Sequence, residues 1–339
     1  MSRIPLIALL VLAAARPGAG QGVETLRSTG GLPPHVVGEL RLPTVYQETP
    51  DGRRFIFDRR GHRVHRLDPG SDRAAVVVEI GPEPGRIIGA SAFDLGRTPG
   101  QRFVVADAPD GRERVQIFDL DGRRLGGFGL PGRALPRVML DETVLSGIGT
   151  LEFTGREILM SQPELGGLVT RFSLRGQPFH TFGVLRRTGQ ESNRDVHLAL
   201  NAGIPRLAHD GGYYFVFQTG IPMFRKYDAR GTLLFERHVE GPALDATINA
   251  MPTTWPRRTH DRGVTLPFIP PNVRTAAVDR AGNLWIALSV PVIFVYDPNG
   301  EKIRTVRLRA ASIVQPSSLY FPDRTRMLVA PGGFEFTVW

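Results

Sequence analysis

A recurring pattern of strand and turn constrains the fold of this chain more than any other feature. Its clearest copy is RVQIFDLDGRRLGGFG, residues 114–129, in which two alternating apolar and polar segments flank an Asp-Leu-Asp-Gly turn. Alternation with a period of two is typical of β-strands, and Asp followed by Gly is typical of tight turns. Related stretches begin at His62, Leu168, Met223 and Val292. We therefore predict a β-sheet unit that is repeated along the chain.

The spacing of the turns gives the size of that unit. The turns lie at Asp68, Asp119, Ser173, Asp228 and Asp297, and most follow one another after roughly 50 residues, which suits four short strands. A four-stranded sheet cannot bury both of its faces alone, so such units pack radially around a common axis. We predict an all-β fold, a six-bladed β-propeller made of four-stranded antiparallel blades.

The last unit is one strand short. Its three strands begin at Ser317, Arg326 and Phe334, and a lone alternating segment, residues 35–43, precedes the first complete unit. An N-terminal strand that completes the last blade would join the chain ends and remove an exposed sheet edge. We expect residues 35–43 to be this strand and to pair with residues 334–339.

Two stretches resemble a known family. FVVADAPDGRERVQIFDLDGRRLGGFG, residues 103–129, and VDRAGNLWIALSVPVIFVYDPNGEKIRTVRL, residues 278–308, are similar to NHL repeats and to the wider group of six-bladed, TolB-like propellers of the exported bacterial type. The resemblance covers most of residues 36–339. It implies the propeller fold and leaves the function open, since such propellers include binding platforms, lactonases, lyases and scaffolds.

The N-terminus carries an apolar leader. Arg3 is followed by an apolar run from Ile4 to Ala15 and then by small residues. This pattern is typical of a cleaved secretory signal, and the run is too short to span a bilayer. We expect residues 1–20 to be a signal peptide, residues 21–34 a linker and residues 35–339 a single propeller domain. The protein would be exported through the Sec pathway and be periplasmic or extracellular.

The composition of the chain limits the structural features and the partners that we expect. The chain has no cysteine, so an exported form would depend on its core rather than on disulfides. After the leader no apolar run is long enough for a membrane helix, and we do not expect the protein to span a membrane. The net charge is +9, but the arginines are spread along the repeats instead of forming one basic face, so we do not expect nucleic acid as a partner.

Two connections between the predicted blades, residues 184–203 and 242–272, are unusually long. Such excursions from a compact scaffold often carry function, and both flank the fourth unit, so they should be neighbours on one rim. Cations beside an aromatic ring suit a carboxylate, phosphate or sugar-acid ligand. The candidate ligand-binding residues are Arg186, Arg187, Arg194, His197, Trp255, Arg257, Arg258 and His260. The alternative is that the insertions merely cap the channel.

Catalytic chemistry is harder to assign. The resemblance to lactonase-like propellers implies a divalent cation at the channel mouth, for which Asp58, Asp107 and Gln218 are the candidates. Hard cations need several converging oxygens, and these residues supply too few to predict a metal. The sequence has no G-x-S-x-G or H-E-x-x-H motif, so the catalytic residues stay unknown. We expect no cofactor, with a divalent cation left open.

Function is the least constrained property. We interpret the chain as a monomeric binding or protein-interaction module that uses the rim formed by the two insertions, with a protein or a small anionic ligand as its partner. The alternative is a metal-assisted hydrolase or lyase of the lactonase-like kind, with its site at the channel mouth. A purely structural envelope protein is the third interpretation.

Overall fold

A computed structural model describes residues 22–96, 102–131, 138–140, 143–145, 149–259 and 265–339. The fold is an all-β propeller with few helices. The predicted signal peptide, residues 1–20, and the candidate ligand residue His260 lie outside the described residues.

Short strands make up most of the described chain. In order they are β1 (Val23–Gly31), β2 (Pro43–Glu48), β3 (Arg54–Asp58), β4 (Arg63–Leu67), β5 (Ala75–Val78), β6 (Ala92–Leu95), β7 (Arg102–Asp107), β8 (Arg114–Asp119), β9 (Arg124–Gly129), β10 (Val138–Leu140), β11 (Thr143–Leu145), β12 (Leu151–Phe153), β13 (Glu157–Met160), β14 (Val169–Ser173), β15 (Pro178–Phe182), β16 (Gly203–Leu207), β17 (Tyr213–Phe217), β18 (Met223–Tyr227), β19 (Leu233–His238), β20 (Arg257–Thr259), β21 (Thr265–Pro267), β22 (Val273–Val278), β23 (Leu284–Leu288), β24 (Ile293–Tyr296), β25 (Lys302–Arg309), β26 (Ile313–Val314), β27 (Ser318–Tyr320), β28 (Arg326–Ala330) and β29 (Phe334–Thr337). The helices are α1 (Pro34–Glu39), α2 (Arg194–Leu200) and α3 (Pro242–Asn249), with 3-10 turns at Pro109–Gly111 and Pro163–Leu165.

The strands form sheets in chain order. Four separate four-stranded antiparallel sheets have the orders β2-β3-β4-β5, β6-β7-β8-β9, β12-β13-β14-β15 and β16-β17-β18-β19. A nine-stranded sheet has the order β22-β23-β24-β25-β1-β29-β28-β27, with β26 paired to β25. Two small hairpins, β10–β11 and β20–β21, stand apart from these sheets.

The predicted set of six separate four-stranded blades is therefore wrong. Four sheets have that form, whereas the remaining propeller strands make one continuous sheet, because β1 pairs on both of its edges. It runs parallel to β25, with Leu26 opposite Leu308, and antiparallel to β29, with Ser28 opposite Phe336. No free edge is left between the last strands of the chain, so this region cannot be divided into two separate blades.

The predicted closing strand, residues 35–43, is also wrong. This segment forms α1 and the start of β2, and it does not pair with β29. Pro34 occupies the first helical turn, where its missing N–H costs nothing, and Val36 is buried. The strand that does pair with β29 is β1, which lies within residues 21–34, the range that we expected to be a linker.

The core lies between neighbouring sheets. All five residues of β17 and all five of β23 are buried, because each of these strands has a packed sheet on both faces. Between the sheets of β2–β5 and β6–β9, the ring of Phe103 lies 5.5 Å from that of Phe55 and 5.4 Å from that of Phe93, measured between centroids. The inner strands β2, β6, β12, β16, β22 and β27 contact one another in turn, and β27 returns to β2. These contacts enclose a central channel.

The propeller has two ends, an upper face and a lower face. The upper face is the end at which the inner strands begin, marked by Pro43 and Gly203. The lower face carries the turns on the opposite end, including those with Arg156 and Arg175. Because strands in each sheet alternate in direction, both long insertions leave and re-enter the propeller at the upper face.

Candidate functional site

The two long insertions lie against each other on the upper face, and together they are called the rim. Residues 184–203 contain α2, and residues 242–272 contain α3 and the β20–β21 hairpin. Val196, Ala199 and Leu200 of α2 form a buried apolar cluster with Ile269, against which Trp255 packs. The rim is thus one packed unit rather than two independent loops.

Helix α2 is held at both ends. The Oδ1 atom of Asn193 accepts a hydrogen bond from the backbone N–H of Val196 at the N-terminus. At the C-terminus the buried side chain of Asn201 donates to the carbonyl of His197, at 3.0 Å. The hydroxyl of Thr219, on the neighbouring turn, donates to the carbonyl of Ala199, at 2.7 Å. These bonds use backbone groups that a short helix otherwise leaves unpaired.

Arg186, a predicted ligand-binding residue, is part of this support. Its guanidinium donates to the carbonyls of Leu200, Thr219 and Ile221, with 2.8 Å between Nη1 and the oxygen of Ile221. It also lies over the ring of Phe217, 4.3 Å from the centroid. Burial, together with the nearby charge of Arg225, lowers the pKa of Arg186 to about 10. The N–H groups of its guanidinium are used in hydrogen bonds within the fold. Arg186 therefore holds α2 in place rather than facing a ligand.

The other predicted arginines are exposed. Arg187 precedes α2, Arg194 begins it, and Arg257 and Arg258 lie on β20. The guanidinium of Arg258 stacks on the ring of Phe268, 3.6 Å from the centroid. The Nη2 atom of Arg257 donates to the carbonyl of Thr265 across the hairpin, at 2.7 Å. These contacts orient the two charges of β20 while leaving them open to solvent.

Two further predicted residues have structural partners. The Nδ1 atom of His197 is 2.7 Å from the hydroxyl of Thr188 and 3.9 Å from a carboxylate oxygen of Glu191. Trp255 is half-buried against the apolar cluster of α2. Both therefore help to fix the shape of the rim.

A further element beside the rim was not predicted from the sequence. The β10–β11 hairpin contacts β21 and α2, so it lies beside both long insertions. The turns at Asp119 and Ser173, on either side of it, have nearly the same spacing as the preceding pair, and for this reason turn spacing gave no sign of an insertion. The short segments VML and TVL, rich in apolar residues, flank Asp141 and Glu142, and this pattern is the signal that would have predicted a hairpin here.

A small cleft lies between α2 and the upper ends of β13 and β16. Its polar lining comes from Ser161, Glu164, Asp195 and Gln218. The hydroxyl oxygen of Ser161 accepts a hydrogen bond from the backbone N–H of Gly203, at 3.2 Å. The cleft joins the rim to the channel mouth, where the alternative hydrolase or lyase site was expected.

Large apolar side chains are exposed beside the rim. Val184 is 81% exposed, Leu165 is 51% exposed and Ile221 is 50% exposed. The carbonyl of Val184 accepts a hydrogen bond from Arg225, and that of Ile221 accepts one from Arg186. Both guanidiniums lie over the same ring, that of Phe217, so the backbones of Val184 and Ile221 are both anchored beside β17. An exposed apolar group within a charged rim is typical of a protein-binding surface.

The candidate metal ligands do not converge. The carboxylate of Asp58 accepts hydrogen bonds from the backbone N–H groups of Arg41, Leu42 and Gly61. Asp107 instead forms an ion pair with Arg114, with 2.8 Å between Oδ1 of Asp107 and Nε of Arg114.

Gln218 lines the cleft beneath α2, away from both carboxylates. Within the described ranges no group of three or more His, Asp or Glu side chains is placed to hold a metal ion. The described helices also include none that is long and apolar enough to cross a membrane.

Comparisons with known proteins show the fold. The sequence matches no family model and no curated protein. The PQQ-bound aldose sugar dehydrogenase from Streptomyces coelicolor is similar with a TM-score of 0.54 and 11% identity, over 95% of this chain and 99% of that chain. A catalytically inactive virginiamycin B lyase from Staphylococcus aureus with quinupristin has a TM-score of 0.51 and 9% identity, over 88% of this chain and 95% of that chain. At such identities the similarity shows a β-propeller fold alone, and the resemblance to NHL and TolB-like repeats stays a prediction.

Proposed function

We propose that this protein is an exported, monomeric binding module whose partner docks on the rim of the upper face. The observation that carries the proposal is the packing of the two insertions into one unit with outward-facing guanidiniums at Arg257 and Arg258. A surface that is already ordered loses little conformational entropy when it binds. The rim has this property, because buried side chains and hydrogen bonds support α2 and the hairpin.

The chemistry of the rim favours a protein segment that carries carboxylates and an apolar side chain. Arginine forms paired hydrogen bonds with carboxylates, and Arg257 and Arg258 are oriented by contacts within their own hairpin. Val184 and Ile221 supply the apolar part of the surface. Glu191 adds negative charge to the rim, so recognition would depend on the placed guanidiniums rather than on net charge.

A metal-assisted hydrolase or lyase has less support. Asp58 and Asp107 are engaged by backbone groups and by an arginine, and Gln218 lies apart from them. The aldose sugar dehydrogenase and the virginiamycin B lyase are enzymes by name, but the similarity to them extends to the fold only. The binding proposal requires no cofactor.

The proposal is tested by affinity capture with matched variants. The Arg257→Ala/Arg258→Ala variant removes two exposed charges from the rim, and Arg156→Ala/Arg175→Ala removes two from the lower face. Tagged wild-type protein and both variants are produced in the native host, and the captured proteins are quantified by mass spectrometry. We expect a partner that the wild type and the lower-face variant retain and the rim variant loses at least tenfold. Equal capture by all three proteins would contradict the proposal.

A further inference from the structure

Polar side chains of the inner strands join neighbouring sheets across the central channel. The Nε2 atom of Gln47, on β2, donates to Oδ1 of Asp94, on β6, at 2.8 Å. The Oε1 atom of the same glutamine accepts from the backbone N–H of Leu95, at 2.8 Å. The amide of Gln47 therefore binds both the side chain and the backbone of the next inner strand.

Asp94 extends this connection to a third sheet. Its Oδ2 atom accepts a hydrogen bond from the backbone N–H of Phe153, on β12, at 2.7 Å. The residue before Phe153 is Glu152, whose carboxylate accepts from the backbone N–H of Leu207, on β16, at 3.0 Å. Two carboxylates on successive inner strands thus connect four sheets through direct hydrogen bonds.

Two arginines line this part of the channel. The guanidinium of Arg206 is 3.2 Å from Glu152, and it also donates to the carbonyls of Ala276 and Pro205. Arg280, the other cation lining this part of the channel, donates to the carbonyls of Phe321 and Pro322. Glu152 thus has a direct contact with the guanidinium of Arg206.

The channel also has little room for water here. A cavity of about 30 Å³ lies among Gln47, Asp94, Glu152, Arg206 and Tyr320. This is space for one or two water molecules rather than for bulk solvent. Burial and the nearby charge of Glu152, opposed by the charge of Arg206, raise the pKa of Asp94 to about 6. The ionised form of Asp94 is thus held in an unfavourable environment.

We propose that Asp94 and Glu152 form a proton-dependent latch that holds the inner strands together more tightly in acid than at neutral pH. Protonation of Asp94 removes the repulsion between the two carboxylates, and both of its oxygens keep lone pairs that can accept the hydrogen bonds from Gln47, at Oδ1, and from Phe153, at Oδ2. The latch is independent of the rim proposal, because it acts on the ring of inner strands and not on a partner.

The direction of the effect follows from the raised pKa. An exposed Asp has a pKa of about 3.9, so between roughly pH 4 and pH 6 the folded chain binds this proton more strongly than the unfolded chain does. The stability contributed by the protonated form is complete below about pH 4 and is lost as the pH rises through 6. The Asp94→Asn variant keeps the shape of the side chain and removes this dependence.

The experiment compares thermal unfolding of the full-length protein between pH 5 and pH 7.5. Relative to the Asp94→Asn variant, we expect the wild-type Tm to fall by about 3 °C over this range. The Glu157→Gln variant neutralises a carboxylate paired with Arg171 elsewhere, and it should keep the wild-type slope. Parallel profiles for the wild type and the Asp94→Asn variant would overturn the proposal.

A second measurement keeps the test decisive if a variant does not fold. Carbon-13 carboxyl shifts of labelled aspartate in the wild-type chain report each titration directly. We expect one aspartate with a midpoint near pH 6, assigned to Asp94 by its absence in the Asp94→Asn spectrum or by its coupling to the Phe153 amide. If Asp94 titrates near 3.9, like an exposed aspartate, no latch exists.

Discussion

The Nε2 atom of Gln190 donates a hydrogen bond to the carbonyl of Thr253, with 3.0 Å between nitrogen and oxygen. The two residues belong to the two long insertions, which are far apart in the sequence. Together with the apolar cluster of α2, this bond joins the two insertions into one continuous surface. We therefore expect substitutions of the residues that support the rim to alter the positions of its exposed charged side chains.

The first prediction concerns Arg186. The Arg186→Ala variant leaves the carbonyls of Leu200 and Ile221 without their donor and removes a contact with Phe217. We expect the free energy of unfolding, measured by urea denaturation, to fall by about 2–4 kcal/mol. The Arg187→Ala variant changes the exposed neighbour and should alter stability by less than about 0.5 kcal/mol. Equal effects of the two variants would show that Arg186 does not hold α2 in place.

The second prediction concerns the strand that bridges β25 and β29. Leu26 is the buried side chain of β1, at 4% exposure, whereas Val23 on the same strand is 49% exposed. Truncating a buried leucine leaves a cavity, so Leu26→Ala should lower the free energy of unfolding by about 2–4 kcal/mol. Val23→Ala should cost less than about 1 kcal/mol. A negligible cost for Leu26→Ala would mean that β1 is not packed in the nine-stranded sheet.

The third prediction uses two glycines with similar backbones. Gly70 and Gly122 have φ values of +76° and +81°, so a side chain strains both positions. A Cβ on Gly70 would meet nothing, while one on Gly122 would overlap the carbonyl oxygen of Val77 in the neighbouring sheet. We expect Gly70→Ala to cost about 1 kcal/mol of unfolding free energy and Gly122→Ala about 3 kcal/mol or more. Equal costs would exclude this close contact between sheets.

The fourth prediction concerns His65. Its side chain lies on β4, and among the described residues its buried Nε2 has no hydrogen-bond partner. Burial lowers the pKa of His65, although the charge of Asp58 opposes the shift. The unfolded chain therefore takes up the proton first, and the stability present above about pH 6.5 is lost as the pH falls below it.

This dependence is opposite in sign to that of Asp94. We expect the His65→Leu variant to lose less unfolding free energy than the wild type between pH 7.5 and pH 5.5, as measured by urea denaturation at each pH. An identical loss in both proteins would show that His65 is protonated as readily in the folded as in the unfolded chain.

The sequence predicted the local parts of the fold well. Residues 114–129 form the hairpin of β8 and β9, as alternation and the Asp-Gly turn indicated. The closing strand was assigned to the wrong segment because residues 35–43 alternate, whereas β1 has few apolar residues and is identified only by its pairing with strands at the far end of the chain. Alternation describes one strand and carries no information about a partner that is distant in sequence.

The rim, like the fold, was predicted from the sequence only in part. Its location followed from the lengths of the two insertions, which are visible in the sequence. The roles of its arginines did not follow, since Arg186 and Arg187 are adjacent and of the same type. One is turned towards the carbonyls that end α2, and the other faces solvent. The two arginines differ in role only because α2 packs against the turn that carries Thr219.

The most direct test of the account is site-specific crosslinking in the native host. A photo-reactive amino acid is placed at Arg187 or Arg258 on the rim, and at Arg175 or Arg230 in lower-face turns, all of which are exposed. The account predicts a discrete crosslinked protein at the two rim positions and none at the two lower-face positions. Crosslinks confined to the lower face, or the same product at all four positions, would contradict a binding site on the rim.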